Sequence, residues 1–230
     1  MNHFVISAAL TSFFSLITSL CLWRLDPQKQ VIRIASIYWF SIAFWAFFVG
    51  SQSYTINLLS PFWWGWFLHL GCTFIPVLLF HFSLVLTKNN KPTLSRMLTF
   101  SYAVTVLFNV LNISTGSFTF GTAYRDAYAY PRPAPLYPLY FFLFVLLVVI
   151  STVLMIKALP SLQPTQKKGL TLLLITQMLA YMGGMDNFLI MADVRIPPLY
   201  PYGLYLVLPY AFMTLYVAFR HQLVTDDFKR

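Results

Sequence analysis

Asp186 is the one acidic or basic residue that falls inside an apolar span of this 230-residue chain. It stands in the stretch GGMDNFLIMADVRIPPLYPYG, residues 183–203, two positions after the pair Gly183-Gly184. An ionisable group in a bilayer is costly unless it faces a polar interior, so it reads first as a functional site. Aspartate is too short to snorkel far and needs a partner or water. Two chemistries fit. One is a ligand or proton site opening to the outer side. The other is a structural carboxylate, hydrogen-bonded to a neighbouring helix or hydrated at the membrane edge. His69, at a similar outer depth, is the expected partner, and Asn187, Tyr200 and Tyr130 complete the candidate ligand-binding set. The outer tyrosines could form the wall and lid of an amphipathic-ligand pocket, or an interfacial aromatic belt, or both.

Other polar groups carry blander expectations. His69 and His81 share one span. At 1.5 Å and 100° per residue they lie about 18 Å apart along the axis and about 120° around it, so they cannot hold one metal together. His81, in LLFHFSL, is expected to make a packing hydrogen bond. Gln177 lies on the helix face opposite Asp186 and is expected to bond a neighbouring helix. Cys21 and Cys72 fall at different depths and read as small buried hydrophobes rather than a disulfide. No metal or cofactor is expected. A phosphate-binding loop, a nucleophile elbow and a zinc-protease motif are missing, and no lysine lies in a span to form a Schiff base.

The elements that must position these residues are membrane helices. Hydrophobic residues make up 59% of the chain and charged ones 9%, against about 25% charged in soluble domains. Apolar runs near 20 residues, enough for a core of about 30 Å, recur at about 4–23, 34–49, 62–87, 98–113, 136–156, 170–190 and 202–219. In the first, Ala8, Ser12, Ser15 and Ser19 form a small-residue stripe that lets a neighbour approach closely. Trp63, Trp64 and Trp66 mark the third span's entrance as an interface anchor. Pro76 and Pro209 are the expected helix kinks. Residues 114–135, rich in Tyr and Pro, read as the longest loop.

The net charge of +9 could point to nucleic acid, but its placement points to topology. With the N-terminus outside, alternation puts twelve of the fifteen Lys and Arg on the inner side and leaves Arg125, Arg132 and Arg195 outside. By the positive-inside rule the expectation is an all-α integral membrane protein, a seven-helix bundle with N-terminus outside and C-terminus cytoplasmic. Residues 1–219 form the membrane domain and 220–230 a cytoplasmic tail. The lipid bilayer is its partner and nucleic acid is not.

Several segments together resemble one family. Residues 67–88, FLHLGCTFIPVLLFHFSLVLTK, are similar to the third helix of the seven-helix N-terminal sensor region of bacterial membrane histidine kinases, with a proline ahead of an FxHF-like run. Residues 183–203 resemble its sixth-helix exit, with a glycine pair, a polar residue and a Tyr-Pro-x-Gly turn, here Tyr200-Pro201-Tyr202-Gly203. The ending YAFMTLYVAFRHQLVTDD resembles its last helix. The resemblance covers essentially the whole chain. It implies a sensor in the bacterial cytoplasmic membrane that forms homodimers and passes a conformational change to a histidine kinase domain, fused or encoded separately. The chain stops at Arg230, where a signalling linker and kinase would begin, so no enzymatic activity is expected of it. Two rival functions stand beside the sensor: a small transporter or channel, against which the spans offer few polar groups and no visible internal repeat, and a non-catalytic interaction subunit with Asp186 purely structural.

Overall fold

The computed structural model describes residues 3–55, 61–114, 116–125 and 128–220; for 52–55, 61, 62, 64, 121–125 and 128–130 it describes the backbone alone. Seven helices follow the apolar pattern: α1 (His3–Leu25), α2 (Gln30–Thr55), α3 (Pro61–Leu86), α4 (Pro92–Ser114), α5 (Tyr137–Ala158), α6 (Pro164–Met191) and α7 (Val207–Arg220). Between α4 and α5, where a loop was expected, two antiparallel strands form a hairpin, β1 (Thr119–Arg125) and β2 (Tyr128–Pro133). Its register pairs Phe120 with Arg132 and Thr122 with Pro131, with an irregularity between them. Among the described residues six segments are long and apolar enough to cross a membrane, the last running from Leu199 through α7. The helix outside that set is α6: its 28 residues are ample in length, but it carries Gln166, Gln177, Asp186 and Asn187.

α1 and α2 run antiparallel, and small residues set how closely they meet. A Cβ on Gly50 of α2 would sit 3.3 Å from the Ala8 Cβ on α1. Along the same seam the Ser12 hydroxyl donates to the Ala43 carbonyl at 2.9 Å, and Ser19 and Ser36 each donate to the other's carbonyl at 2.8 Å. The small-residue stripe read from the sequence is therefore the α1–α2 contact. At the α2–α3 crossing a Cβ on Gly71 would come within 2.8 Å of the Trp45 backbone nitrogen, so only glycine permits that approach. Where tails of lipid are as apolar as leucine, such close packing and interhelical hydrogen bonds must hold the bundle.

Polar side chains join the remaining helices. Asn109 of α4 donates to the Thr73 hydroxyl of α3 at 2.7 Å, and Thr119 of β1 donates to Asn112 of α4 at 2.8 Å. His81 bonds the Tyr102 hydroxyl at 3.0 Å, and Gln177 donates to Thr152 of α5 at 3.1 Å, as expected of both. The outer faces of α4 and α5 turn large apolar side chains outward, among them Phe100, Leu107, Leu139 and Phe142.

Two prolines behave differently from one another. α3 runs from Pro61 to Leu86 with Pro76 inside it, so Pro76 has no N–H to offer the Cys72 carbonyl one turn back. Pro209 is the third residue of α7, within the first turn, where a missing N–H costs no helical bond. The break expected at Pro209 falls ahead of it instead. There a short helical turn (Leu199–Tyr202) is followed by a 3-10 turn (Gly203–Leu206).

Candidate functional site

α6 passes the lead-in segment 199–206 at a glycine–glycine contact. A Cβ on Gly183 would land on the Gly203 carbonyl oxygen, and one on Gly203 would lie 3.3 Å from the Asp186 Cβ. Asp186 is therefore pressed against the lead-in segment, not turned to water. It is 1% exposed, and neither carboxylate oxygen has a hydrogen-bond partner among the described residues. The segment it faces is fixed from the other side, since the Thr11 hydroxyl of α1 donates to the Leu204 carbonyl at 3.0 Å. An ionised carboxylate held this way costs several kcal/mol, so the position suits a group that binds a proton, a cation or a donor.

His69 is not its partner. The histidine is also 1% exposed, but its Nδ1 lies 2.7 Å from the Gly65 carbonyl one turn up α3. Its ring stands edge-on to Phe118 and Tyr137, at 5.2 and 5.6 Å between centroids, and Nε2 is unpartnered. Similar depth in the sequence pattern was a one-dimensional inference. The rotation of α3 spends the imidazole on the hairpin and α5, while that of α6 spends Asp186 on the lead-in segment.

The other expected residues divide. Asn187, one residue and about 100° on from Asp186, lines a cavity with Pro131 of β2, Tyr137, Trp45 and Cys72. Tyr200 lies under the Arg195 guanidinium, 5.4 Å from its ring centre, and 6.2 Å from the Phe4 ring. Tyr130 pairs through its backbone with Ala123, and its side chain lies outside the described residues, as do those of Tyr124 and Tyr128. The four candidates whose side chains are described have different neighbours. Asp186 sits at the lead-in segment, His69 under the hairpin start, and Asn187 on a cavity wall.

That cavity has a deeper companion, which the sequence reading did not anticipate. The two share Trp45, Cys72 and Phe188 as walls and lie one beyond the other along α6. The deeper one lies between α2, α3, α5, α6 and α7 and is open on one side. Its walls are aromatic and aliphatic, and Tyr38, Tyr181 and Tyr210 supply its hydroxyls. The Tyr38 and Tyr181 oxygens are 3.1 Å apart. The Tyr140 hydroxyl donates to the Cys72 Sγ at 3.1 Å, closing the wall beside it. Tyr38, Tyr140 and Tyr181 were legible only as apolar-span tyrosines, because nothing in their spacing tells that three different helices turn them inward.

The model of one protein family, described as the N-terminal 7TM region of histidine kinase, matches residues 5–225, almost the full length. No curated protein matches the chain.

Proposed function

Since the chain belongs to the family of N-terminal 7TM regions of histidine kinases, we propose that it is a membrane sensor module of two-component signalling, which detects a signal from outside or within the bilayer and relays it to a histidine kinase output. The matched region is the sensor part of such kinases, not their catalytic part. The hairpin, the 192–206 segment and the N-terminus of α1 gather at one end of the bundle. Arg24, Lys29, Lys88, Arg96, Lys157 and Lys168 gather at the other. The positive-inside rule makes that second end cytoplasmic, which puts the N-terminus outside and sends α7 inward with its Arg220. The lipid is the inner membrane of a bacterium, and the working unit is a homodimer joined to a histidine kinase domain.

The observation that carries this reading is the buried, unpartnered Asp186 held against the segment that leads directly into α7. A signal that changes what the carboxylate binds changes the fit of 199–206, and α7 is continuous with that segment. Such a ligand works only by binding one arrangement better than the other. His69, Asn187, Tyr200 and Tyr130 belong to the outer half in which the signal is received. The test is a fusion of residues 1–230 to a histidine kinase output, with and without Asp186→Asn. Loss of signal response with normal membrane levels is the expected result; an unchanged response overturns the role of Asp186.

A transporter or channel remains the weaker alternative. The deeper cavity is lined by aromatics and aliphatics, and among the described residues no charged one lines it.

A further inference from the structure

The two glycines of the pair exist for opposite reasons. Gly183 has no room for a side chain, because the Gly203 backbone occupies it. Gly184 has nothing within 4 Å of where a Cβ would stand, and it lines the deeper cavity. A helix-interior glycine costs about 1 kcal/mol relative to alanine. At Gly183 close packing offsets that cost. At Gly184 nothing in the packing does, and what the missing side chain provides is open space.

We propose that this space is a binding site for a compact apolar molecule bearing a single hydroxyl or carbonyl. Ile42, Ile75, Phe144 and Val207 give it aliphatic and aromatic walls, and among the described residues no Asp, Glu, Lys, Arg or His lines it. Sugars, amino acids and ions would leave their polar groups unsatisfied there. The polar groups on offer are phenolic hydroxyls. Tyr38 bonds both Tyr181 and Tyr210, so two of the three hydroxyl hydrogens are spent among them and the third, with the unused lone pairs, is available to one polar group of a guest. Trp45, Cys72 and Phe188 belong to this wall and to that of the outer cavity, so a guest here presses on the surfaces that Asn187 and the hairpin's Pro131 also line. The site is separate from Asp186, which faces the lead-in segment.

The test uses the full chain in lipid nanodiscs and fluorine NMR of 4-fluorophenol, with fluorobenzene as the ligand lacking a hydroxyl. The expected result is a saturable bound resonance, distinct from the lipid-partitioned one, in the unaltered protein. Gly184→Leu and, independently, Ala180→Phe should weaken it at least tenfold by filling the space. Replacing all three tyrosines, Tyr38→Phe with Tyr181→Phe and Tyr210→Phe, should weaken 4-fluorophenol by about three- to tenfold while leaving fluorobenzene unchanged, the effect of one net hydrogen bond. Only a lipid-partitioned signal, or equal binding by the unaltered protein and a Gly184→Leu protein that elutes as a folded monodisperse species, overturns the proposal. Binding is read without any kinase output, so it fails or holds independently of Asp186.

Discussion

Gly183 and Gly203 touch backbone to backbone: a Cβ on Gly203 would stand 2.5 Å from the Gly183 carbonyl oxygen, and one on Gly183 would fall on the Gly203 carbonyl. Gly183→Ala must push the lead-in segment off α6. The expected loss is about 1–3 kcal/mol, the range of overpacked cores. Gly184→Ala meets no atom and should instead gain about 0.4–1 kcal/mol. Thermal unfolding in one detergent compares the two; equal losses would show that the glycine contact does not distinguish them.

Asp186→Asn should leave stability unchanged or raise it. Both carboxylate oxygens are buried without partners, so the aspartate contributes no hydrogen bond that asparagine would lose. The amide also avoids the cost of a buried charge. A marked drop in thermal stability would show that the carboxylate makes a structural bond.

Ser19 and Ser36 form a reciprocal pair, each hydroxyl donating to the other's carbonyl across α1 and α2. Interhelical hydrogen bonds in membranes average about 0.6 kcal/mol in double-mutant cycles. The cycle of Ser19→Ala and Ser36→Ala should return a coupling of about that size, and strict additivity would remove the pair from the account of α1–α2 stability.

Orientation is checked by cysteine labelling in a Cys21→Ala, Cys72→Ala background. Gly116 and Ser161 are both exposed, and they lie at opposite ends of the bundle. On intact cells an impermeant maleimide should label Gly116→Cys and spare Ser161→Cys. The reverse pattern would invert the proposed topology.

The helices were legible because a bilayer demands long apolar runs, and the α1–α2 seam was legible because small residues repeat at helical spacing. The hairpin was missed because Pro131 and Pro133 sit in a Tyr-rich stretch, and proline argues against a strand unless it lies at an edge. In a two-stranded sheet both strands are edges. His81 and Gln177 were placed correctly as packing groups, since each needs only one neighbour. The Asp186–His69 pairing failed because depth along a helix says nothing of rotation about it. Asn109 and Asn112 bind α4 to α3 and to the hairpin, and two asparagines three positions apart in an apolar span were the signal that could have shown it.

The polar load on α6 also bears on how the chain is made. A translocating ribosome delivers helices one after another, and Gln166, Gln177, Asp186 and Asn187 make α6 a weak insertion signal by itself. α5 beside it is wholly apolar from Leu143 to Ile150 and stays in lipid unaided. Gln177 finds Thr152 on α5, but Asp186 meets its neighbours only once 199–206 has been synthesised. The sixth helix thus depends on its predecessor to enter the membrane and on its successor to stay there, which makes the short link after Met191 a timing element of biogenesis.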